Sequence, residues 1–290
     1  MPDALHALAE RLVDSPYGRF VGIALDAIAP GRVRIVLPAR DDTANRSGSM
    51  HGGVTASLLN VAGMVAARSI AVDGDHAGTS TIDLAIHYLA PAAGEAVVAE
   101  GTVTRPGREI VFVEAAVTSA GGTPIARSVG VVRIAGPGTV DPPPTAPPCP
   151  IDATTPLFPR RSGSAFTMRL GVMMAIHTAP GHSIMVLPAR EELTDADGAM
   201  HEGALAALVD SAGGAAAWSI DGFDPRGRAA TIGMHLCYDR TPAREDVVVE
   251  ARTSWRAAGI FLNTVTLTAR TSGRPVATGS VTYRIVRSDA

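Results

Sequence analysis

The feature that most constrains this chain is an internal repeat with a single offset of 150 residues. The pentapeptide VLPAR at residues 36–40 recurs unchanged at residues 186–190, and the M-H-x-G pattern at residues 50–53 returns at residues 200–203. Matches at this offset run from Ala29 to Tyr88 in the first copy and end at Tyr238 in the second. One unbroken offset over such a length predicts two homologous modules.

A proline-rich stretch, GPGTVDPPPTAPPCPIDATTP, separates the two copies. Its prolines favour an extended, semi-rigid connector that cannot join the interior of a sheet. The sequence therefore predicts a first module at residues 1–136, a linker at residues 137–159 and a second module at residues 160–290.

Both copies predict the same order of elements. A short strand, a Pro-Gly turn and a second strand lead through a loop to a helix of about eighteen residues, and further β-rich strands follow it. Turns such as Gly121-Gly122 favour antiparallel meanders over βαβ crossovers. The helix is dominated by Ala, Gly and Ser, which favours close packing by a curved sheet. The prediction is an α+β fold with one long helix in each module.

Composition and charge exclude several classes of function. The chain has 46% hydrophobic and 18% charged residues, which is ample material for a packed core. Its net charge of −3, without a polybasic run, predicts neither a nucleic-acid partner nor attachment to an anionic membrane. All 25 basic residues are arginine, which excludes Schiff-base chemistry and a P-loop lysine.

The two cysteines, Cys149 and Cys237, form neither a CxxC pair nor a zinc-binding spacing. We therefore expect reduced thiols, a cytoplasmic location, no structural disulfide and no metal site. The N-terminal segment contains acidic residues and no long apolar core, so it predicts neither a signal peptide nor a membrane span.

The junction between loop and helix carries a motif that resembles a known family. The matching positions are Asn45, Gly48, His51-Gly52-Gly53, Leu58, Thr81-x-Asp83-Leu84 and Tyr88-x-x-Pro91. Together with the order of elements, they resemble PaaI-type acyl-CoA thioesterases of the hotdog fold. The resemblance implies two tandem hotdog modules, each a long central helix wrapped by a curved antiparallel sheet, paired as a pseudo-dimer with sites between the helices. It also implies an acyl-CoA substrate and no cofactor, because coenzyme A is part of the substrate.

Helix geometry favours a site that the two modules share. The first amides of a helix are unpaired and can stabilise an oxyanion, and glycine at position 52 lets an acyl group approach closely. The acid position of the family corresponds to residue 60 or 210, about 12 Å further along the same helix. Reacting groups must converge within about 3 Å, so the acid has to come from the other, antiparallel helix.

Crosswise pairing gives a first site, called site one, with every group that the family uses. Asn45 and the Gly52 amide would polarise the thioester carbonyl. Asp210 would act as general base or as nucleophile, and the sequence leaves this choice open. Thr231 would orient the water or the carboxylate.

The complementary pairing gives an altered site, called site two, from Asp195 and the Glu202 amide with Asn60 and Thr81. A carboxylate beside a developing oxyanion is repulsive, and the amide of residue 60 cannot act as base or nucleophile. We therefore predict one working site and one degenerate site in each chain.

Several positions also have plain structural interpretations. His51 and Gly53 are predicted to contact substrate, but a matching histidine, His201, in the degenerate copy favours an ordering role for His51 at the turn. Asp210 could be a partnered core acid and Asn45 a turn cap.

A second functional hypothesis is a non-catalytic hotdog protein that senses or sequesters acyl-CoA. A hotdog hydratase is a third, but the Asp-to-His spacing of such enzymes is not evident. Related hotdogs often pair again, so the resemblance is compatible with a homodimer of fused chains.

Overall fold

A computed structural model describes residues 2–71, 79–134, 149–152, 154–159, 163–174, 179–224, 227–239 and 245–287. Within these residues the chain forms one continuous antiparallel sheet and two long central helices. The α+β prediction is confirmed.

In its described residues the first module contains three α-helices and six strands. They are α1 (Pro2–Val13), α2 (Pro16–Val21), β1 (Ala24–Ala29), β2 (Arg32–Leu37), the long helix α3 (Gly52–Arg68), β3 (Thr79–Tyr88), β4 (Val97–Arg105), β5 (Ile110–Ser119) and β6 (Pro124–Ile134). The sequence predicted the long helix and the strands, but it gave no bounds for α1 and did not predict α2.

The second module repeats this plan with shorter edge strands. It contains β7 (Phe158–Pro159), α4 (Ala165–Arg169), β8 (Met173–Met174), β9 (His182–Leu187), the long helix α5 (Glu202–Asp221), β10 (Arg228–Tyr238), β11 (Val247–Ala257), β12 (Ile260–Ala269) and β13 (Pro275–Val286). The short helix α4 occupies the place that α2 has in the first module, and the sequence did not predict it.

The two modules join edge to edge. In the described residues the strand order is β1-β2-β4-β5-β6-β3-β10-β13-β12-β11-β9-β8-β7, and the modules meet where β3 pairs antiparallel with β10. Leu84 lies opposite Leu236 at this seam, and both side chains point into the core. The pairing of two modules through their sheets agrees with the predicted pseudo-dimer.

The long helices lie side by side and antiparallel across the seam. Gly53 at the start of α3 contacts Ala207 of α5 so closely that a Cβ at Gly53 would lie 2.5 Å from the Ala207 Cα. The hydroxyl of Ser57 lies 2.8 Å from Gly53 O and 3.0 Å from Gly203 O, and so connects the first turns of both helices. This crossing brings the N-terminus of each helix against the middle of the other.

Burial explains the unusual composition of these helices. Small residues predominate around α3 and α5 because the sheet and the partner helix enclose nearly every face. The stretch Glu202–Ile220 is apolar and long enough to cross a membrane, but 78% of it is buried inside the protein.

The described end of the predicted linker packs on the second module. Ile151 lies in an apolar cluster with Ile184, Val186 and Val248, and Phe158–Pro159 pairs with Met173–Met174 at the sheet edge. Residues 137–148 and 153 of the linker lie outside the described residues.

Candidate functional site

Each long helix begins at a histidine that caps it. His51 Nδ1 accepts a hydrogen bond of 3.0 Å from the Gly53 N–H, and His201 Nδ1 accepts one of 2.9 Å from the Gly203 N–H. Both histidines have extended backbone conformations and buried side chains. The ring therefore satisfies an amide that the first turn of a helix leaves unpaired. This capping explains the His-x-Gly pattern at the start of the long helix in both copies.

Site one is assembled from both modules around Asp210. The Gly53 N–H of α3 donates to Asp210 Oδ2 at 3.0 Å, and the Thr231 hydroxyl of β10 donates to Asp210 Oδ1. His51 Nδ1 lies 3.1 Å from Asp210 Oδ2, so the acid and the capping ring share one amide proton. The carboxylate is only 7% exposed. The helix crossing thus places the acid of α5 directly at the N-terminus of α3.

Gly52 leaves the space in which this acid lies. A Cβ at Gly52 would be 2.9 Å from Asp210 Oδ2 and 3.0 Å from Oδ1, closer than real Cβ contacts. As the first residue of α3, Gly52 has an N–H without an intrahelical acceptor. Its carbonyl accepts a 3.1 Å hydrogen bond from Tyr88, which holds the turn. A helix-start N–H on a half-buried residue and a carboxylate therefore lie side by side, as attack on a carbonyl requires.

Gly53 has two tasks other than the predicted contact with substrate. It is buried, its N–H is directed at Asp210 and His51, and its missing side chain permits the contact with Ala207. The predicted contact of Gly53 and His51 with substrate stays a prediction.

Asn45 lies in the loop before α3 and organises that loop. Its Oδ1 accepts hydrogen bonds from the Ser47 N–H at 2.9 Å, the Ser47 hydroxyl at 2.8 Å and the Ser49 N–H at 3.1 Å. In the described residues its Nδ2 makes no hydrogen bond, so the amide donor remains available. The structure does not bring Asn45 into hydrogen-bond contact with the other members of site one.

Asp195 adopts the same turn in the second module. Its Oδ1 accepts from the Asp197 N–H at 2.8 Å and the Ala199 N–H at 2.9 Å. Burial raises the pKa of Asp195, although the turn amides act in the opposite direction. Asn45 and Asp195 thus accept the same backbone hydrogen bonds from their turns through Oδ1. They differ in the second side-chain atom, which is an amide donor in Asn45 and a carboxyl oxygen in Asp195.

The ring of His51 has an environment that the sequence did not predict. Phe166 of α4 packs against it with ring centroids 5.5 Å apart, and Thr167 Oγ1 lies 3.2 Å from His51 Nε2. Thr167 Oγ1 also lies 3.4 Å from Ser211 Oγ. Because α4 precedes the repeated stretch, the repeat alone could not show that it completes site one.

Site two keeps a carboxylate but moves it to the other helix. Glu202, at the position of Gly52, accepts from the Thr81 N–H at 2.9 Å and from Asn60 Nδ2 at 3.0 Å. Asn60 Nδ2 also lies 2.8 Å from Thr81 Oγ1 as a donor. The glutamate side chain extends into the region that corresponds to the space beside Gly52, which Asp210 fills at site one. The structure therefore brings Asn60, Thr81 and Glu202 together, with the acid lying at the helix N-terminus that would have to receive an oxyanion.

Asn60 borders a very small cavity. The cavity beside it has a volume of about 10 Å³, close to that of one water molecule. Asn60 Oδ1 is buried without a hydrogen-bond partner, and burial raises the pKa of Glu202. Both features indicate a buried polar cluster in which a hydrogen-bonding atom has no partner.

The capping histidine of site two is also enclosed. The ring of Tyr17 stacks on His201 with centroids 4.6 Å apart, and the Tyr17 hydroxyl lies 2.8 Å from Ser57 Oγ. Burial lowers the pKa of His201 to about 4. Tyr17 of α2 corresponds to Phe166 of α4, but here the offset is 149 residues, which is why a strict shift of 150 does not align them.

An aromatic and cationic cluster lies two turns along α5 from Asp210. The Arg46 guanidinium is 4.3 Å from the centroid of the Phe223 ring, and Phe223 contacts Trp218 edge-on at 5.2 Å. Phe223 is 51% exposed. At the positions 150 residues away, Arg46 is replaced by Ala196 and Trp218 by Arg68. The cluster therefore belongs to the site one end of the molecule.

A larger open cleft lies elsewhere. It has a volume of about 580 Å³, lies at the β4–β5 hairpin and is lined by Arg105, Pro106, Gly107, Arg108, Glu109, Ile110 and Phe112. No residue of site one or site two lines this cleft, so cleft size does not identify the position of the candidate catalytic residues.

Comparison with protein families covers both modules. Residues 47–126 match the family model of the thioesterase superfamily, and residues 143–280 match that of the acyl-CoA thioesterase C-terminal domain. An esterase candidate from Halobacterium salinarum is 32% identical over 103 residues, which are 34% of this chain and 68% of that protein. Human acyl-coenzyme A thioesterase 13 is 29% identical over 98 residues, which are 33% of this chain and 68% of that protein.

Solved structures share the tandem architecture. An acyl-CoA thioesterase II from Mycobacterium marinum superposes with a TM-score of 0.65 and 14% identity, covering 97% of this chain and 99% of that one. A hotdog-fold protein from Alicyclobacillus acidocaldarius gives a TM-score of 0.67 at 14% identity, with the same coverage of both chains. At these identities the likeness shows the fold alone, and it confirms the prediction of two tandem hotdog modules.

Proposed function

Because this chain belongs to the thioesterase superfamily and is a thioester hydrolase, we propose that it hydrolyses acyl-CoA at one composite site, site one, formed by both modules. The observation that carries this proposal is the position of Asp210: a carboxylate from α5 held by the Gly53 N–H of α3 and the Thr231 hydroxyl of β10. The narrower PaaI-type resemblance, the cytoplasmic location and a homodimer of fused chains stay predictions.

The geometry supports a simple division of tasks. The Gly52 N–H, which has no intrahelical acceptor, would stabilise the oxyanion that forms on the thioester carbonyl, together with the positive end of the α3 dipole and the Asn45 Nδ2 donor. Asp210 lies beside the Gly52 N–H, so the carboxylate and the oxyanion donor can both reach one thioester carbonyl, as the reaction needs. Thr231 fixes one carboxylate oxygen, so the other faces the start of α3.

Two routes share this geometry. In the first, Asp210 removes a proton from water as the water oxygen bonds to the acyl carbon; the C–S bond then breaks, and the thiolate of coenzyme A leaves. In the second, Asp210 bonds to the acyl carbon and displaces the thiolate, and water then cleaves the mixed anhydride. Both yield a carboxylic acid and free coenzyme A without a metal step.

Coenzyme A as the leaving group is supported by two kinds of observation. Relatives of the chain include an acyl-coenzyme A thioesterase, and the family model of the second module describes acyl-CoA thioesterases. In addition, the Arg46–Phe223–Trp218 cluster offers a cation for phosphate and the exposed ring of Phe223 for a base beside site one.

Site two, in this proposal, no longer hydrolyses substrate. Glu202 occupies the start of α5, where its carboxyl group would repel an oxyanion. Asn60, which replaces the acid, can neither accept a proton from water nor attack a carbonyl.

The test compares Asp210→Asn with Asn60→Ala on a panel of acyl-CoA thioesters, with release of free thiol as the readout. We expect Asp210→Asn to lower kcat by about 10²–10⁴-fold and Asn60→Ala to retain wild-type turnover. Equal losses in both variants would contradict a single site. Binding of acyl-CoA by the wild type without turnover on any member of the panel would favour the non-catalytic alternative.

A further inference from the structure

Three donor atoms from both modules converge on the seam between β3 and β10. They are Oδ2 of Asp83 in the first module and Nε2 of His235 and Sγ of Cys237 in the second, all within 4.8 Å of one another. Neither site one nor site two uses any of them. The cluster therefore needs an explanation of its own.

Strand register places the three side chains on the outer face of the sheet. Cys237 lies directly opposite Asp83, and His235 is one pleat away on the same strand. The residues between them, Leu84 and Leu236, are buried on the helix side. The side chains of Asp83 and His235 are 32% and 47% exposed, so the cluster is open to solvent on the face away from α3 and α5.

The separations of these atoms resemble the edges of a zinc tetrahedron. Zinc–ligand distances of about 2.3 Å to sulfur and 2.0–2.2 Å to nitrogen and oxygen imply edges of about 3.6 Å to sulfur and about 3.4 Å from nitrogen to oxygen. The Cys237 Sγ lies 3.6 Å from Asp83 Oδ2 and 3.9 Å from His235 Nε2. Only the 2.5 Å contact between His235 Nε2 and Asp83 Oδ2 has to lengthen, by rotation of the exposed His235 and the half-buried Asp83 side chains.

A proton relay fits this arrangement less well. In a Cys-His-Asp triad the thiol and the carboxylate face opposite nitrogens of the imidazole ring. Here both Sγ and Oδ2 face the same atom, His235 Nε2. Three donors directed at one point are the arrangement of a ligand set, in which each gives one lone pair to a cation.

We propose that Asp83, His235 and Cys237 bind one zinc-type divalent cation, with water in the fourth position facing solvent. Thiolate, imidazole and carboxylate together suit zinc better than magnesium or calcium, which prefer oxygen ligands alone. Partial burial, and then the neighbouring Asp83, raise the pKa of the Cys237 thiol, and the cation displaces that proton to solvent on binding.

The second copy of the repeat does not reproduce this cluster. At the equivalent positions 150 residues away, Asp83 corresponds to Gly233, His235 to Ala85 and Cys237 to His87. Only one of these three, His87, has a ligand side chain. A cation bound to Asp83 and to the two residues of β10 would link the modules across the strand pair that joins their sheets, and it would lie on the sheet face opposite to site one. The inference is thus independent of the proposed hydrolysis.

The experiment uses the full chain without an affinity tag, reduced and freed of metal by a chelator. Cobalt(II) is added as an optical probe, because a Co–thiolate bond gives a charge-transfer band, and zinc is then titrated in competition. We expect one equivalent per chain, a band that Cys237→Ser abolishes, and a band that the matched control Cys149→Ser retains. His235→Ala and Asp83→Asn should each weaken zinc binding at least about 10–100-fold.

A second measurement guards against variants with altered folding. Zinc should raise the Tm of the wild type and of Cys149→Ser, since a ligand that binds the folded state stabilises it, and should leave the Tm of Cys237→Ser unchanged. The proposal is overturned if the wild type gives no thiolate band, or if zinc raises the Tm of Cys237→Ser as much as that of the wild type.

Discussion

The two helix crossings of this molecule have the same backbone and different chemistry. At site one a glycine begins the helix and the acid, Asp210, comes from the facing helix. At site two the acid, Glu202, begins the helix and an amide, Asn60, faces it. Both have a capping histidine, a threonine at the acid or amide, and a tyrosine hydroxyl on the first carbonyl. The two crossings therefore keep the same supporting contacts and differ in which helix carries the acid, and in our proposal this difference decides which site hydrolyses thioesters.

The strongest way to break this comparison is to make site one resemble site two. Asn45→Asp keeps the Oδ1 acceptor that organises the loop but replaces the Nδ2 donor with a carboxyl oxygen beside the oxyanion. We expect kcat for thioester hydrolysis to fall about 10²–10³-fold, equivalent to about 2.7–4 kcal/mol. The mirror change, Asp195→Asn, should leave kcat unchanged. Wild-type turnover in Asn45→Asp would remove Asn45 from the proposed mechanism.

Unfolding at acid pH should show the effect of burying His201, the capping histidine of site two, which is less exposed than His51 of site one. Burial lowers the pKa of His201 from 6.5 to about 4, so the folded state binds fewer protons than the unfolded state between these values. The free energy of unfolding should therefore fall as the pH drops from about 6.5 to 4, by at most about 3 kcal/mol.

Glu202 acts with the opposite sign. Its raised pKa means that its contribution to stability is present below its unfolded pKa and is lost as the pH rises through the folded value. Urea unfolding between pH 4 and 7 in a Glu202→Gln background removes this opposing contribution of Glu202. Adding His201→Asn, which retains a capping acceptor, should flatten the pH dependence. A curve of unchanged steepness would mean that other groups control it.

Gly52→Ala tests whether activity requires the Asp210 carboxylate to occupy the space beside Gly52 at the start of α3. The new Cβ would lie 2.9 Å from Asp210 Oδ2, so the carboxylate has to move. Displacement of a reacting group by about 1 Å costs on the order of 10²-fold in kcat/KM, and we expect a loss of that size. Glu202→Ala is the matched change at the other helix and should not alter turnover. A fully active Gly52→Ala would show that Asp210 need not lie where it is observed.

The smallest expected effect concerns the threonines. Thr231→Val removes the hydroxyl that donates to Asp210 Oδ1 and should lower kcat about tenfold, equivalent to about 1.4 kcal/mol. Thr81→Val removes the corresponding hydroxyl at Asn60 and should have no effect on kcat. If both variants lost activity equally, the threonines would act through the sheet and not through the acid.

Much of this organisation could be predicted from the sequence. The repeat predicted both long helices, and their crossing follows from the distance of about 12 Å between a helix start and its own acid position. The convergence of Gly52, Asp210 and Thr231 followed from pairing the two copies crosswise. These inferences worked because helix rise and strand alternation are fixed lengths.

Other features depend on contacts that no fixed spacing reveals. The rings of Tyr17 and Phe166 lie on the capping histidines through short helices whose offset is 149 residues, so the repeat did not align them. The Asp83–His235–Cys237 cluster needs the register of β3 against β10, which brings together residues about half the chain apart. The sequence, without a zinc spacing, predicted no metal site. Register between distant strands is a tertiary property.

Because each site combines residues of both modules, the fusion of two modules changes how a single mutation affects the two sites. In a dimer of two identical chains, one codon would specify the acid of both sites, so replacing it with asparagine would inactivate the whole assembly. Fusion into one polypeptide gives positions 60 and 210 separate codons. Mutation can then abandon one catalytic centre, and adapt its residues to holding the helices together, while the other continues to turn over substrate.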